Sequence, residues 1–206
     1  MDRKRVGILV YPEVEVLDFC GPFEVFSVTR LDEARRREQP SPFQAFLVAE
    51  GKEVVKATGG LRVLPEYDFD SCPPLHLLLV PGGWGSRAEV DNARLIDWLR
   101  RRAAEVETLT SVCTGSFLLG RAGLLDGRRA TTHSASLDRL RDTFPKVTVE
   151  RGRHVVEDGN VLTSAGISAG IDLALRVVAR YHGEAVARAT ARYMEYPYPE
   201  MNQRRF

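Results

Sequence analysis

Residues 110–120 read TSVCTGSFLLG and place a cysteine, Cys113, between a predicted strand and a predicted helix. The preceding stretch, VETLTSV, is rich in the β-branched residues that suit a strand, and the following SFLLGRAGLL is apolar with helical spacing. A sharp strand-to-helix turn projects a side chain above the edge of a sheet, and a helix N-terminus stabilises a thiolate. Cys113 is therefore a candidate nucleophile, and a small buried cysteine is the alternative.

Apolar runs and helical patterns alternate along the rest of the chain. Strands are predicted in residues 5–11, 43–50, 75–83, 106–112, 128–133 and 146–150, and in a hairpin over 153–166. Helices are predicted in residues 22–38, with Pro22 in the first turn, and in 91–105, 134–144 (capped by Ser134), 168–183 and 184–194. This alternation predicts an α/β fold with a mostly parallel central sheet covered on both faces. No break in composition divides residues 1–206, so we expect a single domain.

Composition indicates an ordinary soluble protein. The 206 residues are 44% hydrophobic and 28% charged, with a net charge of +1, which gives no electrostatic footprint for nucleic acid or an anionic membrane. The three cysteines match neither a disulfide framework nor a zinc pattern, so we expect no metal. The first apolar run stops at Pro12, too early for a signal peptide. We therefore expect a cytoplasmic protein.

Three loops lie at predicted strand ends, namely PEVEVLDFCGP, PGGWG and CTG. Ligands of parallel sheets bind at the carboxyl ends of strands, so these loops are expected to meet at one site. Asp18, between Leu17 and Phe19, is the predicted acid/base partner of Cys113, because apolar neighbours raise the pKa of a carboxyl group. Its alternative role is a helix cap for the segment that starts at Pro22, or a buried hydrogen-bond anchor.

Other carboxylates are alternative candidates for the partner of the Cys113 thiol. Glu13 and Glu15 lie in the same loop as Asp18. Glu24, in the first turn of the predicted helix, is the best candidate after Asp18. Histidine is the usual partner of a nucleophilic cysteine, and His133 is the histidine placed where a strand meets a helix. Its role depends on whether its strand lies within reach of Cys113.

The Gly-Gly pair of the second loop suggests a backbone donor. An N–H from Gly83, together with that of Thr114, would form an oxyanion-type hole. A plain tight turn is the alternative. Trp84 either lines the pocket or packs at the surface.

The motifs LDFCGPFEVF, LLLVPGGWG, SVCTGSFLLGRAGLLDGRRATTH and VLTSAGISAGIDLAL, in this order, resemble the ThiJ/PfpI superfamily. The resemblance covers nearly the whole chain and implies a flavodoxin-like three-layer sandwich of the class I glutamine amidotransferase type, with a nucleophile elbow. The aspartate-bearing loop and the CTG turn are similar to the isonitrile hydratase branch. The same domain also forms the amino-terminal part of AraC-type regulators. Family members usually dimerise, so a homodimer is expected.

The resemblance assigns roles to four residues. Cys113 corresponds to the elbow cysteine, Asp18 to the acid/base aspartate, Thr114 to the hydroxyl residue beside the nucleophile, and Gly83 to the backbone donor. Protease-like members carry histidine where this chain has Thr114, which argues against Cys-His peptidase, glyoxalase or deglycase chemistry.

The predicted function is hydration of an isonitrile to an N-substituted formamide through a thioimidate on Cys113, without a cofactor. The alternatives are a non-catalytic sensor of small ligands, or another cysteine-dependent hydrolase or glyoxalase-type activity. The last predicted helix is followed by EYPYPEMNQRRF, which leaves no room for a helix-turn-helix, so no nucleic-acid partner is expected.

Overall fold

The computed structural model describes residues 3–204 and has a seven-stranded sheet at its centre. The strands are β1 (Lys4–Leu9), β2 (Phe43–Ala49), β3 (Val55–Lys56), β4 (Arg62–Val63), β5 (Tyr67–Asp68), β6 (Leu77–Val80), β7 (Thr108–Val112), β8 (Arg129–Ala130), β9 (Thr148–Val149), β10 (Val155–Asp158) and β11 (Val161–Ser164). The helices are α1 (Val16–Val28), α2 (Ser86–Glu89), α3 (Ala93–Ala103), α4 (Gly115–Arg121), α5 (Leu137–Thr143), α6 (Ala169–His182) and α7 (Glu184–Tyr193). Short 3-10 helices span Glu33–Arg35, Thr58–Gly60 and Ser134–Ser136.

The central sheet has the strand order β10-β11-β7-β6-β1-β2-β5. Every pairing is parallel except the β10–β11 hairpin. Helices α1, α6 and α7 pack together on one face, and α3 and α4 pack together on the other. Strands β6 and β7 are buried along their whole length, as the continuous apolar runs of a doubly covered sheet predict. The predicted α/β three-layer sandwich is confirmed.

The strand order brings the three predicted loops together. Strand β6 pairs with β1 on one side and with β7 on the other, all in parallel. The carboxyl ends of these three strands therefore share one edge of the sheet. The loop after β1 leads into α1, the Gly-Gly loop follows β6, and Cys113 follows β7.

The first helix differs from the prediction at both ends. Helix α1 begins at Val16, so Pro22 lies inside it rather than in its first turn. The earlier start buries Asp18 and Phe19, which would be exposed in an open loop. The helix also ends at Val28 instead of continuing to residue 38, because the backbone of Thr29 leaves the helical conformation, with ψ of 136°.

The predicted cap at Ser134 is also wrong. The residue that caps the short 3-10 helix is His133, whose Nδ1 accepts the N–H of Ala135 at 3.2 Å. Helix α5 follows only at Leu137. Within residues 3–204, no helix is long and apolar enough to cross a membrane.

Candidate active site

Cys113 lies between the last residue of β7 and Thr114, which precedes α4, and has a left-handed backbone conformation with φ of 56°. This region is unfavourable for residues other than glycine and persists only where surrounding contacts enforce it. The N–H of Cys113 donates to the carbonyl of Ala165 at 3.2 Å, and its own carbonyl accepts the hydroxyl of Thr132 at 2.8 Å. The predicted strand-to-helix elbow at Cys113 is confirmed.

A glycine directly after the elbow lets the helix begin close to the sheet. A Cβ on Gly115 would lie 2.1 Å from the carbonyl oxygen of Val80, the last residue of β6. Any larger residue would push α4 away from the strand end. The motif CTG therefore has a packing reason for its third residue.

Asp18 is fully buried in the first turn of α1 and faces the Gly-Gly loop. Its Oδ2 accepts the N–H of Gly82 at 2.9 Å, while its Oδ1 has no hydrogen-bond partner among the described residues. Burial raises the pKa of Asp18 from 3.8 to about 8, against the opposing effect of the Gly82 hydrogen bond. The carboxyl group therefore holds its proton at neutral pH, as its apolar neighbours suggested.

Gly82 is a site residue that the sequence did not single out. A Cβ at this position would lie 2.5 Å from both the N and the Oγ1 of Thr114, and 3.1 Å from Oδ2 of Asp18. Glycine is thus required for the loop to approach the acid and the elbow together. The Gly-Gly pair in the sequence indicated this loop, but it did not show which of the two glycines donates a hydrogen bond to Asp18.

The thiol of Cys113 is only 6% exposed, and its pKa is raised. Burial is the main cause, and the negative charge of an ionised Asp18 adds to it. The N–H and hydroxyl of Thr114 act in the opposite direction but are outweighed. Burial thus outweighs the stabilisation of a thiolate that the helix N-terminus was expected to provide.

The structure places Gly83 and Thr114 in contact with each other. The N–H of Gly83 donates to Oγ1 of Thr114 at 3.1 Å, and Ser86 Oγ lies 2.8 Å from the Gly83 carbonyl and 3.0 Å from the Thr114 hydroxyl. This geometry disagrees with the predicted role of Gly83 as a donor to a substrate, because its N–H already has a partner. Thr114 is bound to this loop rather than to Asp18.

His133 lies within reach of the elbow. Built on Gly166, a Cβ would be 2.5 Å from Cδ2 of His133 and 2.8 Å from Sγ of Cys113, so both side chains lie over this glycine. Because Nδ1 accepts the N–H of Ala135, the proton of the neutral ring is on Nε2. His133 therefore offers an N–H donor to the same cavity as the thiol.

The three other candidate carboxylates, Glu13, Glu15 and Glu24, differ in their position relative to the thiol. Glu24 is exposed, because it follows Asp18 by six residues and a helix turns by about 100° per residue, which puts it on another side of α1. Glu13 is exposed and holds other loops through its backbone. Glu15 lines the cavity above the thiol.

The cavity that opens onto the thiol, here called the Cys113 cavity, has a volume of about 330 Å³. Its lining comprises Glu15, Gly83, Trp84, Arg87, Cys113, Thr114, His133, Ala135, Ser136, Arg139 and Ile167. Trp84 lines the rim and remains 65% exposed. Among residues 3–204, no three His, Cys, Asp or Glu side chains come together as a metal site would require.

Comparison with known proteins supports this reading of the fold. The DJ-1/PfpI family model matches residues 4–180. An isonitrile hydratase of Pseudomonas putida is 37% identical over 93% of this chain and 78% of its own length. The HTH-type transcriptional regulator GbdR of Pseudomonas aeruginosa is 32% identical over 73% of this chain, which spans only 40% of that regulator.

A solved structure shows the same architecture. The crystal structure of a ThiJ/PfpI family protein from Pseudomonas syringae superposes with a TM-score of 0.84 at 33% identity, covering 98% of this chain and 79% of that one. The family match, the similar sequences and the elbow geometry agree. The chain belongs to the DJ-1/PfpI family.

Proposed function

We propose that the protein is an isonitrile hydratase-like lyase that adds water to an isonitrile, R–N≡C, and releases an N-substituted formamide. The observation that carries this proposal is the fully buried carboxyl of Asp18, whose pKa burial raises to about 8, beside the elbow thiol of Cys113. A neutral acid next to a nucleophile suits a reaction in which a proton must be added to carbon. The 37% identity to an isonitrile hydratase supports the same assignment.

The first step joins the thiol to the substrate. Asp18 gives its proton to the terminal isonitrile carbon, and Sγ of Cys113 bonds to that carbon as it becomes electrophilic. The thiol proton passes to the carboxylate that Asp18 has become. The product is a thioimidate, R–N=CH–S–Cys113, and Asp18 is again a neutral acid.

The second step releases the formamide. Water adds to the thioimidate carbon and the nitrogen gains a proton, which gives R–NH–CH(OH)–S–Cys113. The carbon–sulfur bond then breaks, the hydroxyl becomes the carbonyl, and its proton returns to sulfur through Asp18. Atoms balance as R–NC plus water giving R–NH–CHO, and no electrons are exchanged with a cofactor.

Two further groups suit this sequence of steps. Nε2–H of His133 is a donor for the developing oxygen of the hydrated intermediate. Thr114 holds the Gly83 loop against the elbow through its hydroxyl. We propose an orienting role for Thr114, and only a supporting one for Gly83.

The direct test is incubation of the purified protein with cyclohexyl isocyanide while formamide production is followed. We expect Cys113→Ala to abolish turnover and Asp18→Asn to lower it by about a hundred- to ten-thousand-fold, which is the usual contribution of general acid–base catalysis. Cys20→Ala and Cys72→Ala are matched controls at other free cysteines and should retain activity. Wild-type turnover at the uncatalysed rate would remove the hydratase proposal.

A ligand sensor is the second candidate, favoured by the similarity to the transcriptional regulator GbdR. A buried neutral thiol is also what a binding pocket without chemistry would contain. Saturable ligand binding without turnover, unchanged in Cys113→Ala, would favour the sensor. A covalent thioimidate seen by mass spectrometry on Cys113 would favour the enzyme.

We further propose that the protein acts in the cytoplasm as a homodimer, as one folded domain, and without a nucleic-acid partner. The net charge of +1 supports the last point. Light scattering on the purified protein tests the dimer, and a gel-shift assay with duplex DNA tests nucleic-acid binding.

A further inference from the structure

Two arginines stand at the mouth of the Cys113 cavity. Arg87 is on α2 and Arg139 is on α5, so they approach the opening from different elements. The guanidinium of Arg87 lies 4.3 Å from the ring centre of Trp84, and that of Arg139 lies 4.3 Å from the ring centre of Phe117. Each cation is therefore held in place by an aromatic face.

Neither guanidinium has an ion pair or a side-chain hydrogen bond with any residue of the described range 3–204. This differs from the other arginines that stack on aromatic rings. Each of those also contacts a glutamate, in the pairs Arg36–Glu33, Arg102–Glu105 and Arg188–Glu184. Stacking on a ring in this protein thus normally comes with a counter-ion, and the cavity mouth is the exception.

The two cations also repel each other. Partial burial and the neighbouring charge of Arg87 lower the pKa of Arg139, although an arginine remains charged at any physiological pH. The acidic residue among the cavity walls is Glu15, and it forms no ion pair with either arginine. Burial raises the pKa of Cys113, which lines the cavity, and of Asp18, which lies behind the lining, so neither group adds negative charge at neutral pH. The cavity therefore has excess positive charge at its mouth.

Resting on the proposed function, we propose that the substrate is an isonitrile whose R group carries a carboxylate, bound between Arg87 and Arg139. Guanidinium groups bind carboxylates through two parallel hydrogen bonds, and an anion between the two would relieve their mutual repulsion. With the carboxylate held at the mouth, the isocyano group at the other end of the molecule points to the thiol at the floor. A small molecule of this kind suits a cavity of about 330 Å³.

The experiment compares isocyanoacetate with its methyl ester, which differ in charge and share the reacting group. We expect kcat/KM to be higher for the carboxylate in the wild-type protein. The ratio of carboxylate to ester kcat/KM should fall about 10- to 100-fold in Arg87→Met and in Arg139→Met, as expected for loss of a charge-assisted hydrogen bond. Arg87→Lys should keep part of the preference, because the charge remains without the planar fork.

Arg101→Met on α3 is the matched control, since Arg101 is exposed and is not among the walls of the cavity. Its ratio should equal that of the wild type. Raising the ionic strength should lower the wild-type ratio as the attraction is screened. A wild-type ratio near one, or a ratio unchanged in folded Arg87→Met and Arg139→Met, would overturn the inference while leaving isonitrile hydration intact.

If neither isonitrile reacts, the proposed function fails and binding decides the inference alone. The probes are N-formylglycine, which is the formamide that isocyanoacetate would yield, and uncharged N-methylformamide, both measured by titration calorimetry. Tighter binding of N-formylglycine that weakens in Arg87→Met supports an anionic ligand. Equal binding of both probes, or binding unchanged in the variant, overturns it.

Discussion

Replacing Asp18 by asparagine should remove a large pH dependence from the stability of the protein. Burial raises the pKa of this carboxyl to about 8 in the folded chain, whereas in the unfolded chain it is about 3.9. Between these values the native state holds the proton and the unfolded state releases it. The free energy of unfolding therefore falls as pH rises, from full stability below about pH 4 to a lower level above about pH 8.

The slope for one proton is about 1.4 kcal/mol per pH unit, so the effect between pH 5 and pH 7 is about 3 kcal/mol. The asparagine amide can accept the N–H of Gly82 as Oδ2 does. Its NH₂ then replaces the protonated Oδ1, so the variant imitates the neutral acid.

Urea unfolding at pH 5, 6 and 7 measures the effect for the wild type, Asp18→Asn and the control Asp70→Asn, whose carboxyl is 83% exposed. Other titrating groups cancel in the difference between wild type and variant. We expect the free energy of unfolding of Asp18→Asn to gain about 3 kcal/mol relative to wild type from pH 5 to pH 7. A difference that stays constant over this range would refute the reasoning, because Asp18 would then ionise at an ordinary pKa and could not store a proton at neutral pH.

Three other results follow from the site. The kcat/KM for isonitrile hydration should fall about tenfold per pH unit above about pH 8, because ionised Asp18 cannot supply the proton; a profile flat to pH 10 would contradict this. Iodoacetamide at pH 7.5 should alkylate Cys113 more slowly than free cysteine, since burial raises the pKa of the thiol; mass spectrometry of the modified peptide measures the rate, and faster labelling would count against it. Gly166→Ala should lower turnover by about a hundredfold, because its Cβ would press on His133 and Cys113, whereas Gly152→Ala, with nothing within 4 Å, should match the wild type in the same assay.

The meeting of the three loops could be predicted from the sequence because it depends on simple geometry. Parallel strands end at one edge of a sheet, and each loop could be recognised by the apolar run before it. The strand order, in which β6 is the neighbour of both β1 and β7, could not be predicted from the sequence. His133 follows β8, which pairs with β9 in a separate two-stranded sheet, so its distance from the thiol could not be judged along the chain.

The start of α1 could not be predicted because local preference and burial disagree. Proline favours the first turn of a helix, which put the start at Pro22. The protein instead begins the helix at Val16 and accepts a proline inside it. In return, Asp18 and Phe19 are fixed on a helix and buried, and the acid gains a defined direction towards the Gly-Gly loop.

The raised pKa of the Cys113 thiol illustrates how burial can outweigh an electrostatic effect that a sequence motif indicates. A helix end favours an anion by about 0.3–1 kcal/mol at exposed sites and by up to about 2 kcal/mol when partly buried, whereas full burial can shift a pKa by several units. Cys113 is buried, so the second effect dominates. The sequence showed the helix but not the depth of the turn.

A neutral thiol and a neutral carboxyl are consistent with the proposed chemistry and with the charges around them. Ionising either Asp18 or Cys113 alone would leave an anion in a site where no described cation contacts it. Hydration of an isonitrile avoids this state at both ends of the cycle, since the pair begins and finishes fully protonated and only passes a proton across the substrate. The positive charge of the site then lies entirely at the mouth, on Arg87 and Arg139. At the mouth, this charge can select and orient a substrate without drawing the thiol proton away. Recognition then depends on the two arginines, and the reaction depends on Asp18 and Cys113.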